Sequence, residues 1–210
     1  MGNLSICCLN KIQGVKNPQI EEIITAKEIT CGDDHTLILD NEGEIWSFGL
    51  NLNGQLGLGN NKNNQKPQKI PKFSNNKIRK ICSRGDISFA LSETGDCFMW
   101  PIKGNKNSEE INCTPRFLPL KEKILSISCG WEFALFLNFN GMVYSMGKSN
   151  TYGQLGHGDN LPRLKPTLIE VFYLNNERIS QISCGFKHCV AKTFTNKAYS
   201  WGLVKNNKIK

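Results

Sequence analysis

The most constraining feature of the sequence is a repeat, because a fixed period of about fifty residues decides the architecture before local propensities do. Residues 29–49 read ITCGDDHTLILDNEGEIWSFG, and residues 127–147 read ISCGWEFALFLNFNGMVYSMG in the same register. Residues 182–202 are a third copy, in which Asn196 replaces the turn glycine. Residues 81–100 are a degenerate copy, in which Arg84 replaces the first glycine and Pro101 follows the last strand. Four related units therefore follow one another along the chain.

Each unit is predicted to be a small antiparallel sheet. Its segments are short, rich in branched and aromatic residues, and separated by glycine-containing turns, which favours strands over helices. Such a sheet cannot bury its faces alone, and radial stacking against similar neighbours is the propeller solution. We assign a structural role to the glycines at matching repeat positions: Gly32, Gly43, Gly49, Gly130, Gly141, Gly147, Gly185 and Gly202.

Recurrent prolines and glycine loops suggest how the units are divided. Prolines recur near the expected unit starts, at Pro18, Pro67, Pro115 and Pro166, and two units carry a glycine loop, at residues 54–59 and 153–158. We therefore expect an N-terminal segment at residues 1–17, repeats at residues 18–202 and a basic tail at residues 203–210.

The motifs of the first unit identify a family. Cys-Gly-x-x-His-Thr, Gly-x-Ile-Trp-Ser-Phe-Gly, Asn-Gly-Gln-Leu-Gly-x-Gly and then Pro, at residues 31–67, resemble the repeat of the regulator of chromosome condensation (RCC1) family. The resemblance covers about residues 18–202 and implies an all-β, seven-bladed propeller, of which this chain supplies about four blades' worth. The resemblance leaves three interpretations of this partial ring: a fragment, a half ring closed by a partner such as a second copy, or a ring that has lost blades.

No residue pattern predicts catalysis, a cofactor or a metal. Gly147-Lys148-Ser149 resembles the end of a phosphate-binding loop, but the spacing to Gly141 is wrong and the interval is typical of a strand. His35 and His188 share a repeat position with Phe133, so we expect packing plus one hydrogen bond there.

The remaining histidine and the equivalent cysteines do not predict a metal site either. His157 has no second ligand nearby in sequence, and the equivalent cysteines Cys31, Cys129 and Cys184 are predicted to be small buried apolar groups rather than zinc ligands.

The strongest charge asymmetry lies between residues 60 and 80, where basic side chains occur without any acid. The net charge of +8 is consistent with an acidic partner. Phosphates or an acidic protein are the candidate ligands, and a solvated lysine-rich loop is the alternative. The candidate interaction residues are Lys62, Lys66, Lys69, Lys72, Lys77, Arg79 and Lys80.

The N-terminus resembles an acylation signal, with Gly2 for myristate and Cys7 or Cys8 for palmitate, although Ile6 stands where the pattern has Ser or Thr. Membrane association is expected only if this segment is acylated; otherwise Cys7 and Cys8 belong to an outer strand. The sequence has no secretory core and no membrane-spanning run. Its nine cysteines are therefore read as thiols, and we expect a cytoplasmic protein, with the nucleus as the alternative.

Three functional hypotheses follow. The first is a non-enzymatic scaffold or regulator that binds another protein through its loop face. The second, implied by the resemblance alone, is guanine nucleotide exchange on a Ran-type small GTPase, which requires tighter binding to the nucleotide-free GTPase. The third is chromatin docking through the basic run.

Overall fold

The computed structural model describes residues 24–73, 76–103 and 111–203. Over these ranges the chain forms four antiparallel sheets of three or four strands, one separate two-stranded sheet and very little helix. Residues 127–147, the best-matched repeat copy, are strands joined by tight turns. The predicted all-β class is confirmed.

The strands follow one another in space in the same order as in sequence. The first sheet contains β1 (Ala26–Cys31), β2 (His35–Asp40), β3 (Ile45–Gly49) and β4 (Asn64–Lys69). The second contains β5 (Ile78–Arg84), β6 (Ile87–Ser92), β7 (Cys97–Trp100) and β10 (Arg116–Phe117). Between β7 and β10 in the chain, β8 (Ile102–Lys103) and β9 (Ile111–Asn112) pair with each other as a separate two-stranded sheet. The third contains β11 (Ile124–Gly130), β12 (Phe133–Asn138), β13 (Val143–Gly147) and β14 (Arg163–Leu168). Within the described residues the fourth contains β15 (Ile179–Cys184), β16 (His188–Thr193) and β17 (Ala198–Gly202).

Within the described residues, two short helices that were not predicted from the sequence follow the last strands of the first and third sheets. They are a 3-10 helix at Pro71–Phe73 and an α-helix, α1, at Glu170–Leu174. Each brings a phenylalanine, Phe73 or Phe172, into the core beside a tryptophan.

The turns between the second and third strands have the positive φ that the sequence predicts. Gly43 and Gly141 have φ of +83° and +77°, and Asn196 adopts +64° where the third copy lacks glycine. The strand before the first of these turns ends with a side chain that accepts hydrogen bonds from the turn. Asp40 Oδ1 accepts the backbone N–H groups of Glu42 and Glu44 at 3.1 and 2.8 Å. Sequence and backbone geometry agree at these turns.

The prolines used to divide the units lie at the outer strands. Pro67 and Pro166 lie within β4 and β14, and Pro115 directly precedes β10, while Pro18 lies outside the described residues. Proline has no N–H to donate, so it suits a strand with one unpaired edge.

The chain divides into two compact units, residues 1–93 with 98–117 and residues 94–97 with 118–210. The first unit buries a core between its two sheets: Leu37, Leu39, Ile45, Ile70, Phe73, Ile78, Ile81, Ala90, Phe98 and Trp100. The second does the same: Phe133, Leu135, Leu137, Val143, Leu155, Ile169, Phe172, Ile179, Ile182, Cys189 and Ala191. Both β2 and β12 are buried on both faces, as interior strands of stacked sheets must be.

Side chains of one sheet also bond the backbone of the next within each unit. In the first unit, Ile81 N–H donates to Glu28 Oε2 at 2.9 Å and Ser83 N–H to Thr30 Oγ1 at 3.1 Å. In the second, Cys184 N–H donates to Ser128 Oγ at 2.9 Å. The repeat is thus reproduced in hydrogen bonds as well as in packing.

Neither helix within the described ranges is long and apolar enough to cross a membrane. The predicted acylation positions Gly2, Cys7 and Cys8, and the tail from residue 204 onward, lie outside the described residues.

Candidate protein-interaction site

The loop that follows β13 is held by two amide side chains. Asn150 Nδ2 donates to the carbonyls of Asp159 and Leu161 at 3.0 and 2.8 Å, and its Oδ1 accepts the amide of Leu155 at 2.9 Å. Gln154 Oε1 accepts the amide of Tyr152 at 3.0 Å. These bonds fix the backbone beneath Tyr152, so its ring is presented from a rigid loop.

Two hairpin loops of the second unit bring further aromatic side chains to the same place. Trp131 lies between β11 and β12, Phe186 lies between β15 and β16, and the amide of Trp131 donates to the carbonyl of Phe186 at 3.0 Å. Their rings stack with centroids 5.4 Å apart and planes 25° apart. We call Trp131, Tyr152, Phe186 and Lys187 the aromatic–lysine cluster.

The ammonium group of Lys187 lies against all three rings of this cluster. Its Nζ is 5.3 Å from the centroid of Trp131, 5.0 Å from that of Tyr152 and 5.6 Å from that of Phe186. These distances are within the range of cation–π attraction. Tyr152 and Phe186 nevertheless remain 43% and 47% exposed, so the cluster presents apolar surface and a positive charge together.

The basic run predicted from the sequence is spread over several elements of the first unit. Lys62 lies in a loop, Lys66 and Lys69 on β4, Lys72 in the 3-10 helix, Lys77 before β5, and Arg79 and Lys80 on β5. Strands β4 and β5 belong to different sheets.

Lys69 and Arg79 of this run are engaged within the molecule. Lys69 forms an ion pair with Glu44 at 3.2 Å, and Arg79 Nε donates to the carbonyl of Ser92 at 3.2 Å. Lys62, Lys66, Lys69 and Lys77 are exposed, while Arg79 and Lys80 are half-buried.

The repeat glycines make room for neighbouring groups. A Cβ at Gly32, Gly130 or Gly185 would overlap the ring three residues later, at His35, Phe133 or His188. Gly49 and Gly202 have φ of +116° and +96°, and Gly147 ends β13 against Phe133. The Gly-Lys-Ser sequence therefore begins at the last residue of a strand.

His35 is buried with one hydrogen bond, as predicted for its repeat position. Its Nε2 lies 2.8 Å from Ser88 Oγ, its Nδ1 has no partner, and burial lowers its pKa to about 4. His188, at the equivalent position, is exposed.

His157 contacts Ser145 Oγ at 2.8 Å through Nε2, and burial followed by the charge of Arg163 lowers its pKa. Within the described ranges, no group of three or more His, Cys, Asp or Glu side chains could hold a metal ion.

The predicted burial of the equivalent cysteines is wrong at one position. Cys129 is buried, Cys184 is half-buried and Cys31 is exposed. Cys31 lies on β1, whose alternate residues are exposed, whereas Cys129 lies on a strand whose corresponding face is covered.

The aromatic–lysine cluster was not predicted from the sequence. A signal was nevertheless present: Trp131 and Phe186 both directly follow the first repeat glycine, where the first unit has Asp33. An aromatic residue in a turn after a repeat glycine is not required by the blade core, which marks it as a surface feature.

Four-stranded antiparallel units repeated in this way define a β-propeller protein. Family models described as the regulator of chromosome condensation (RCC1) repeat match residues 42–91 and 140–191 in one form, and 26–55, 124–154 and 179–208 in another. The chain belongs to this family, as its motifs indicated.

Similarity to individual known proteins supports this family assignment. The chain is 38% identical over 192 residues to the ultraviolet-B receptor UVR8 of Arabidopsis thaliana, covering 89% of this chain and 43% of that protein. The crystal structure of human WBSCR16 matches with a TM-score of 0.75 and 26% identity, over 89% of this chain and 50% of that one. The crystal structure of Prp20p from Saccharomyces cerevisiae matches with a TM-score of 0.70 and 30% identity, over 84% and 44%. The chain therefore spans about half the length of these proteins or less.

Proposed function

We propose that this chain is a non-enzymatic module that binds another protein through the aromatic–lysine cluster and acts as a scaffold or regulator. The observation that carries the proposal is the gathering of three aromatic rings around one ammonium group at loop ends, with two of the rings more than 40% exposed. Aromatic residues beside a cation are typical of the few contacts that dominate protein interfaces.

The cluster also indicates the chemistry of its partner. Burying the exposed edges of Tyr152 and Phe186 requires an apolar surface. Burying Lys187 requires a carboxylate or another anionic group, because an unpaired buried charge is costly. We therefore expect a protein surface that combines apolar side chains with at least one acidic residue.

The relatives support a protein as the partner. Prp20p of Saccharomyces cerevisiae has binding properties towards Gsp1p and histones. Nucleotide exchange on a Ran-type GTPase and chromatin docking through the basic run are the alternatives for this chain.

The test replaces the cluster by the residues that the first unit has at the equivalent positions. The variant W131D/Y152N/F186D/K187D carries Asp33, Asn53, Asp33 and Asp34 to the matching repeat positions. The matched control, L164N/F194N, removes two exposed apolar side chains of the same unit outside the cluster. Circular dichroism verifies that both variants are folded.

Immobilised wild-type protein, cluster variant and control are compared by affinity capture with quantitative mass spectrometry. We expect at least one protein retained equally by the wild type and the control, and roughly tenfold less by the cluster variant, as loss of a central contact predicts. Identical retention by all three proteins contradicts the proposal.

Two parallel measurements separate the alternatives. Faster release of a fluorescent guanine nucleotide from a Ran-type GTPase favours exchange. Duplex DNA binding that weakens steeply with salt, and is lost in K62Q/K66Q/K69Q/K72Q, favours chromatin docking.

A further inference from the structure

The fourth sheet contains two cysteine side chains directly opposite each other. Cys184 on β15 pairs with Cys189 on β16, and their Sγ atoms are 3.9 Å apart. Both are free thiols. The same register position holds Cys31 and Thr36 in the first sheet, and Cys129 and Ala134 in the third. The paired thiols are therefore a departure from the repeat and not a requirement of it.

We propose that Cys184 and Cys189 are a site of reversible disulfide formation. Opposed residues of antiparallel strands have Cα atoms about 4.5 or 5.5 Å apart, and both values lie in the range that a disulfide accepts. Joining the two sulfurs at about 2.05 Å requires rotation of the two side chains and a small approach of the strands.

The two thiols differ in access, which sets the order of the reaction. Cys184 is half-buried, whereas Cys189 is 0% exposed, and its contact with Cys184 together with burial raises the pKa of the Cys189 thiol. With hydrogen peroxide as the oxidant, Cys184 Sγ attacks one peroxide oxygen and becomes a sulfenic acid, releasing water. Cys189 Sγ then attacks that sulfur, and the hydroxyl group leaves with the thiol proton as a second water. Two thiols and one peroxide thus give one disulfide and two waters.

The position of the bond links it to the aromatic–lysine cluster, a consequence that rests on the proposed function. The two cysteines enclose residues 185–188, the loop that carries Phe186 and Lys187. Cys189 Sγ–H also donates to the carbonyl of Gln154 at 3.4 Å, and that carbonyl accepts Trp201 Nε1 at 2.9 Å. Oxidation therefore closes the base of the loop and removes one donor from the residue that fixes Tyr152.

The experiment uses the full chain and peptide mapping. Protein is treated with hydrogen peroxide, the oxidant is removed with catalase, remaining thiols are alkylated, and the chain is cut with trypsin. Cleavage after Lys187 separates the two cysteines, so the disulfide appears as a linked pair of peptides that dithiothreitol splits. We expect this pair in the wild type, with loss of both alkylation sites.

Two variants test the assignment. In C189T, which copies the first sheet, and in C184S, the linked pair is expected to disappear while the circular dichroism spectrum is retained. The proposal is overturned if oxidised wild type shows Cys184 and Cys189 still alkylated, carried to sulfinic acid, or joined to other cysteines. This measurement needs no partner, so its failure is distinguishable from failure of the proposed function.

Discussion

The glycine loops of the two units are held by the same hydrogen bonds. Asn51 Nδ2 donates to the carbonyls of Asn60 and Lys62 at 2.8 and 3.0 Å, as Asn150 does to its own loop. The strand beneath each loop donates a serine hydroxyl to a leucine carbonyl, from Ser47 at 2.8 Å and from Ser145 at 2.7 Å. The motif residues therefore build one scaffold twice.

The loops between the first and second strands of the sheets differ in character. Where the first unit has Asp33 and Asp34, the second has Trp131 with Glu132 and, in its next sheet, Phe186 with Lys187. The loops at this repeat position thus present acidic groups in one unit and part of an aromatic–lysine cluster in the other. Backbone hydrogen bonds recur at these loops, from Asp33 N–H to the carbonyl of Gly85 at 3.0 Å and from Trp131 N–H to the carbonyl of Phe186 at 3.0 Å. They do not depend on the identity of the side chains, which is how one fold can serve different partners.

The largest expected effect is the loss of stability when the tryptophan of each core is truncated. It tests whether the two cores are equivalent. Trp100 and Trp201 each donate Nε1 to a glutamine carbonyl, at 2.8 Å to Gln55 and 2.9 Å to Gln154, but Trp100 is 0% exposed and Trp201 is half-buried. We expect W100A to lower the free energy of unfolding by about 3–5 kcal/mol. For W201A we expect about 1–2 kcal/mol, because less apolar surface is removed from the core.

Urea unfolding followed by far-ultraviolet circular dichroism measures both changes. F139A, which truncates an exposed aromatic side chain, serves as the control and is expected to leave the midpoint almost unchanged. Equal losses in W100A and W201A would show that burial does not distinguish the two cores.

The second prediction concerns pH. The folded state holds the pKa of His35 at about 4, lowered from 6.5 by burial. Between these values the unfolded chain binds a proton that the folded chain does not, so stability falls as pH decreases from about 6.5 to about 4. With about 1.4 kcal/mol for each pH unit, the loss approaches about 3 kcal/mol.

Unfolding midpoints at pH 7.5 and 4.5 measure this loss, and H35F, which copies Phe133 of the third sheet, is expected to reduce it. H188F changes the equivalent exposed position and keeps His35, so it should retain the wild-type pH dependence. An unchanged pH dependence in H35F would assign the acid sensitivity to other groups.

The fold was predictable because the repeat specifies its own turns. Gly43 and Gly141 mark the hairpins, and even Asn196 adopts the positive φ that its place in the repeat predicts. The helix at Glu170–Leu174 was not predictable, because a segment of five residues carries too little periodicity to be distinguished from a strand.

The candidate site was harder to predict because its members come from three loops. Trp131, Tyr152 and Lys187 are separated by 21 and 35 residues, and their proximity depends on sheet stacking, which local patterns do not encode. A run of charges such as residues 62–80 is visible in sequence, whereas a cluster assembled from single residues is visible only in the folded protein.

The smallest expected effect concerns the repeat glycines of the two units. A Cβ at Gly32 would overlap the ring of His35, which is buried and held by Ser88, and would stand 2.5 Å from the carbonyl of Gly85. For a Cβ at Gly185, the three nearest atoms all belong to the ring of His188, which is exposed and able to rotate. We expect G32A to cost about 1–3 kcal/mol through overpacking, and G185A less than about 1 kcal/mol.

The second sheet shows how the first penalty can be relieved. There Arg84 occupies the glycine position and pairs with Ile87, so no ring stands opposite. If the ring is the obstacle, G32A should cost less in an H35I background than in the wild type, as measured by urea midpoints of the four proteins in a double-mutant cycle. An unchanged cost would instead identify the Gly85 carbonyl as the group that requires glycine, because that carbonyl is backbone and remains in place when His35 is replaced.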